Sequence, residues 1–221
     1  MKRGSSGARS GEPNVVIFDL DGTLLDAYRA IHTSLNHTLG EFGYPGVSQE
    51  KARRTVGAGD LNFIRAFFKG SEVTAALKIY RKDHQASLVR YAKRQPGAIK
   101  VLKTLRKRGF FLAVATNRPR KFSMILLRHL NLEKYFSVIL CGKGPRDIKP
   151  QPTMLLRIMR LLKARKENVW YVGDMVIDVR AGHNAGVRTI AVAGGSSTRA
   201  ELRKAKPYKI AGNLTEVLKI V

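Results

Sequence analysis

The chain has 221 residues, 44% of them apolar, a single cysteine, and a formal net charge of +25 from 41 Lys and Arg against 16 Asp and Glu. That length buries a hydrophobic core without covalent staples, the lone Cys141 excludes an internal disulfide, and no apolar run nears the roughly 18 residues that cross a bilayer, so a globular protein of a reducing cytoplasm is expected, with no membrane role. The basic excess favours anionic substrates and makes a nucleic-acid partner one reading, yet the basic residues recur at helical spacing beside apolar positions, as in residues 157–166, which a solvated outer face explains.

Residues 1–13 are small, polar and basic, with no apolar segment of a secretory signal after them, and read as a disordered lead. Residues 15–18, VVIF, form the first continuous apolar run, the pattern of a strand buried on both faces. Residues 26–95 then carry helical patterns at 27–42, 61–68 and 74–93 without a convincing strand. Beyond them, helical stretches at 99–108, 119–129 and 152–162, each opened by a proline or Pro-Gly, alternate with apolar runs at 111–115, 137–140, 169–172 and 189–192. Alternation of this kind means crossover connections and an α/β fold with a doubly wound, mainly parallel sheet. The core is expected over 14–25 and 96–221, with 26–95 as a helical insertion over the carboxyl ends of the strands, where such sheets bind ligands.

The chemistry gathers at strand ends. The first run leads into DLDGT, which sets Asp19 and Asp21 just beyond a buried strand, with Gly22 allowing a sharp turn. Two carboxylates so close repel unless positive charge balances them, and a hard divalent cation with oxygen ligands does so simply. A second acidic pair follows 169–172 in GDMVID: Asp174 lies just past the strand, and Asp178 is read as opening a helix. The run 111–115 ends in Thr116 and Asn117, which offer a hydroxyl and backbone N–H groups. Lys149, in IKPQP, offers a cation for a phosphate.

Taken together, DLDGT, VATN, the Lys of KP and GDMVID resemble, in order and spacing, the four motifs of the haloacid dehalogenase superfamily. The resemblance covers essentially residues 14–221. The insertion is similar to the first type of cap in that superfamily, and ARRTVGAGD, AGHNAGVRTIAVAGG and ELRKAKP look most like its phosphoglycolate phosphatase branch. The resemblance implies a Mg²⁺-dependent phosphatase acting on a small anionic phosphorylated metabolite. Asp19 would attack phosphorus and carry an aspartyl-phosphate, and Asp21 would protonate the leaving oxygen and then activate water. Thr116 and the Asn117 N–H would hold phosphoryl oxygens, and Lys149 would stabilise their charge. Asp19, the Asp21 carbonyl and Asp174 would face Mg²⁺, with Asp178 behind, holding a metal-bound water or Lys149.

An acid at position 21 points to phosphate esters, because dehalogenases of the superfamily lack one there and its transport ATPases carry Thr. Departures from the branch are Met175 after Asp174 and Arg118 after Asn117. Arg54, Arg65 and Arg118 are candidates to meet an anionic substrate beneath the insertion. Asp26 reads as a cap for the first inserted helix, and none of the five histidines shows metal-ligand spacing, so no chemistry is assigned to them. A phosphosugar mutase or a pyrophosphatase would use the same acids, and the high charge leaves a polyanion-binding protein as a reading of another class.

Overall fold

The computed structural model describes residues 12–221, so most of the lead expected at 1–13 lies outside the described residues. Six parallel strands form the main sheet: β1 (Val15–Phe18), β4 (Phe111–Thr116), β5 (Val138–Cys141), β6 (Val169–Gly173), β7 (Arg188–Val192) and β8 (Lys209–Ala211), in the order β5-β4-β1-β6-β7-β8. The five strands expected from their apolar runs are present within a residue. β8 has no such run, because it is a three-residue edge strand with Lys209 exposed.

The strands' period of two divides the interior. Val16 and Phe18 face one way with Leu112, Val114, Trp170 and Val172, and join Val101, Leu102 and Leu105 of α5 (Ala98–Lys107) and Phe122, Leu126 and Leu127 of α6 (Arg120–His129). Val15 and Ile17 face the other way with Ala113, Ala115, Val169 and Tyr171, against Met154, Leu155 and Ile158 of α7 (Thr153–Leu161) and Ala181 and Ala185 of α8 (Val176–Ala185). Helices on both faces of a parallel sheet are the doubly wound architecture.

Between β1 and α5 the chain leaves the sheet through β2 (Leu25–Asp26) and returns through β3 (Lys93–Arg94). These two pair antiparallel, Leu25 against Arg94 and Asp26 against Lys93, and form a two-strand stem. The stem carries α1 (Tyr28–Glu41), α2 (Gln49–Thr55), α3 (Asp60–Arg65) and α4 (Glu72–Tyr91). α2 was not expected: its seven residues bury only Ala52, too little for an apolar stripe. Asp26 does accept the Tyr28 N–H at 3.1 Å, although Ala27 occupies the cap position itself. Leu35 and Leu39 of α1, Phe63 and Ile64 of α3, and Tyr80 and Leu88 of α4 are buried in the same cluster as the first face of the sheet.

In-register pairing places the site. Phe18 lies beside Val114 on one side and Val172 on the other, and the Asp19 N–H donates to the Val172 carbonyl at 2.9 Å. The chain just beyond β1 is thus flanked by Thr116 from β4 and by Asp174 after β6.

Candidate active site

Asp19 is buried beyond the central strand, and its Oδ1 lies 2.7 Å from Nζ of Lys149. The same ammonium lies 2.7 Å from Asp178 Oδ1 and 3.0 Å from the Tyr171 hydroxyl, which itself donates to Asp178 at 2.8 Å. The other oxygen of Asp178 accepts the Met175 N–H at 2.9 Å. Asp178 therefore sits in the first turn of α8, two residues after Val176 opens it, rather than at the opening itself. Asp174 is fully buried: Oδ1 accepts from Thr23 at 3.0 Å, and Oδ2 accepts from the Ser196 N–H at 2.7 Å and from the Tyr28 hydroxyl at 3.4 Å.

Asp19, Asp174 and Asp178 each present an oxygen within 4.8 Å of the others. One ammonium thus serves two of these three buried carboxylates, Asp19 and Asp178. Burial raises the Asp19 carboxyl to about 6 against the pull of Lys149, and burial with the charges of Asp178 and Asp19 holds Asp174 well above the usual carboxylate range. Burial opposes the charge on Lys149 too, but Asp178 and Asp19 outweigh it and keep the amine protonated. Negative charge in excess, presented on hard oxygen atoms with little room around them, fits a small divalent cation.

Asp21 lies in a different balance. Arg118 grips it with two bonds of 2.7 Å, Nε to Oδ2 and Nη2 to Oδ1, and both residues line the same cavity as Asp19. The third face of the guanidinium, Nη1, lies 2.9 Å from Nε2 of His84 on α4.

Thr116 accepts the Arg118 N–H at 3.2 Å. The Asn117 amide ties two segments together: Oδ1 accepts the Lys149 N–H at 2.7 Å, while Nδ2 donates to the Lys149 carbonyl at 3.2 Å and to the Gly57 carbonyl of the inserted helices at 2.7 Å. This amide fixes the loop after β5 so that Lys149 reaches back to Asp19, although β5 itself is two strands from β1.

The cavity above these groups has a volume of about 70 Å³ and is shared between the sheet ends and the inserted segment, with Ile31, Val56, Phe63, Tyr80 and Phe122 as its apolar wall. Asp19, Asp21, Thr116, Asn117, Arg118 and Lys149 all line it. Two expected substrate contacts lie elsewhere. Arg54 turns outward to pair with Glu201 and to donate to the Ser196 carbonyl, and Arg65 lines an adjoining groove of about 610 Å³. Their charge patterns gave no sign of this, because the acid that holds Arg54 is 147 residues away in sequence.

Sequence reading missed Thr23, Tyr28, Ser196 and Tyr171, which hold Asp174 and Asp178 across the chain, and it missed His84. A signal for His84 existed: it falls four residues after Tyr80 and four before Leu88, on the buried face of α4.

Comparison with known proteins gives the family. The model of the haloacid dehalogenase-like hydrolase family matches residues 16–192, and the chain belongs to that family. Phosphoglycolate phosphatase 1 of Pseudomonas aeruginosa is 32% identical over 215 residues, covering 93% of this chain and 79% of its own. Pyrophosphatase PpaX of Halalkalibacterium halodurans is 32% identical over 213 residues, covering 95% and 97%. Among solved structures, a Haemophilus somnus protein named a predicted phosphoglycolate phosphatase superposes with a TM-score of 0.88 at 23% identity, covering 96% of this chain and 99% of its own, a likeness of fold. The chain is therefore an enzyme of the hydrolase class whose relatives are phosphatases. Among the described residues no helix is long and apolar enough to cross a membrane.

Proposed function

We propose that the protein is a Mg²⁺-dependent phosphomonoesterase that hydrolyses a small anionic phosphate ester of the phosphoglycolate kind through a phosphorylated Asp19. The observation that carries this reading is the convergence of Asp19, Asp21, Thr116 and Lys149 on one cavity, with Asp174 and Asp178 directly behind. Asp19 attacks phosphorus, and the bond from phosphorus to the ester oxygen breaks as the bond to Asp19 forms. Asp21, which two N–H groups of Arg118 engage, takes up a proton from solvent and gives it to the departing alkoxide, then takes one from the water that displaces Asp19 and releases inorganic phosphate. The Thr116 hydroxyl and the Asn117 N–H hold the phosphoryl oxygens, and Lys149 offsets their charge. Asp19, Asp174 and Asp178, with the Asp21 carbonyl, are the groups that would hold Mg²⁺, which when bound adds positive charge against the transferring phosphoryl group.

On this reading residues 26–95 act as a cap that excludes water from a core made of 14–25 and 96–221. The cavity has room for a phosphoryl group and a few further atoms, which suits a metabolite rather than a long polyanion. The lone thiol, Cys141, suits the reducing cytoplasm.

A second reading, hydrolysis of pyrophosphate by the same groups, is favoured by the similarity to PpaX over nearly its whole length. Phosphate release from 2-phosphoglycolate, hexose 1-phosphates and pyrophosphate, each with Mg²⁺ and with chelator, separates them. Mg²⁺-dependent release that is fastest from 2-phosphoglycolate is expected. Fastest release from pyrophosphate favours the second reading, transfer of phosphate between sugar positions without release indicates a mutase, and turnover indifferent to chelator sinks the metal assignment.

A further inference from the structure

His84 is a buried histidine that the chemistry above does not use. It sits on α4, at 1% exposure, stacked on Tyr80 with centroids 4.8 Å apart and meeting the edge of Phe122 at 5.3 Å. Were it only a filler between two aromatic rings, an apolar side chain would serve with less loss of hydration. Its two nitrogens have definite partners instead: Nδ1 lies 3.3 Å from the Ser34 hydroxyl on α1, and Nε2 lies 2.9 Å from Arg118 Nη1. Arg118 has only N–H donors, so Nε2 must accept, and the imidazole is neutral with its proton on Nδ1. Burial and the neighbouring guanidinium both disfavour its charged form.

All three nitrogens of the Arg118 guanidinium are thus engaged, two by Asp21 and one by His84. A guanidinium held only through one carboxylate can swing with it, whereas a third bond on the opposite side fixes its plane. Asp21 and Arg118 come from the sheet ends, and His84 comes from the inserted helices.

We propose that His84 is a positioning residue that aims the acid and base, Asp21, by anchoring Arg118 across the boundary between the inserted helices and the sheet ends. Arg118 is then also a positioning residue, its guanidinium committed to Asp21 rather than to substrate. This inference rests on the phosphatase reading for the role of Asp21, but its geometric half does not.

Three variants and two readouts test it. His84→Leu keeps the volume and removes the acceptor, while His84→Gln restores an acceptor oxygen. In the first readout, kcat/KM is compared for an alkyl phosphate, whose leaving oxygen needs a proton, and for p-nitrophenyl phosphate, whose leaving phenolate does not. His84→Leu should lose at least about tenfold on the alkyl ester and less than about threefold on the aryl ester, with His84→Gln recovering most of the loss. Equal losses on both esters would mark a merely structural residue and overturn the proposal. The second readout, hydrogen exchange at the Arg118 Nε–H by nitrogen-15 NMR, needs no turnover: exchange should be slow in the wild type and in His84→Gln, and fast in His84→Leu. Arg118→Lys, which cannot bridge both partners, should reproduce the ester-dependent loss of His84→Leu. Unchanged exchange in His84→Leu overturns the proposal even if the wild type is active. Slow exchange in the wild type and fast exchange in His84→Leu, with no turnover by either, refutes the phosphatase reading and leaves the anchoring intact.

Discussion

The site holds two acidic centres that are solved in opposite ways. Around Asp21 one carboxylate meets one guanidinium, and the pair is complete within the protein. Around Asp19 three buried carboxylates cluster while one ammonium pairs with two of them, and the centre is left negative. The difference teaches that the protein closes the first centre itself and leaves the second to be completed by a cation, which is why similar residue types a few ångströms apart have different expected responses to metal.

The most severe way to break the contrast is Asp19→Asn, which removes the proposed nucleophile while leaving Asp21 and Arg118 in place. A fall in kcat of about 10⁴-fold or more is expected, with the melting temperature unchanged or raised, because one buried negative charge is gone. Retained turnover would mean that phosphorus is not attacked from this side. The next variant is Lys149→Met. It strips the ammonium that pairs with Asp19 and Asp178, and urea unfolding near neutral pH should show a loss of about 3–5 kcal/mol. Added Mg²⁺ should return part of that stability. Arg118→Met should also destabilise, but without recovery in Mg²⁺, and equal recovery of both variants would erase the distinction between the centres.

A gentler probe is pH. In the ion-free protein the Asp19 carboxyl titrates at about 6 against 3.8 ordinarily, so the folded chain holds that proton more tightly than the unfolded one. Stability from this group is full below about pH 4 and declines as pH rises through about 6. Asp174 is shifted in the same direction. Urea midpoints measured across that window should therefore fall with rising pH in chelator, and the fall should be weaker in Mg²⁺. Tyr28→Phe is the mildest test. It removes a hydroxyl that reaches both Asp174 and Ser196, and a loss of about 1 kcal/mol is expected by the same unfolding measurement.

How much of this could be read in the chain follows from what each feature depends on. Strands β1 and β6 are buried along their whole length and read as apolar runs, β4 and β7 carry buried apolar stretches after their first one or two residues, and the acids just beyond β1 and β6 stand out in a chain with so few. Lys149 became visible only through its place in the motif series, since β5 is merely half-buried and its loop is fixed by Asn117. α2 and β8 were illegible because seven residues with one buried alanine, or three with an exposed lysine, carry no periodic signal. The burial of His84 was legible from its spacing with Tyr80 and Leu88, but the partners of His84 and Tyr28 were not: they lie 34 and 146 residues away, and no local pattern encodes a contact across that distance.

Asp174 is held in place as much by hydrogen atoms as by hydrogen bonds. A methyl group at Gly22 would come within 2.4 Å of its carboxylate, and one at Gly195 within 2.0 Å. At Gly40 or Gly144 the same methyl would meet nothing within 4 Å. In a library that samples every residue at every site, positions 22 and 195 should therefore come back blank while 40 and 144 fill with alanine, and drift among descendants of this gene is walled off at two places where no side chain exists to be altered.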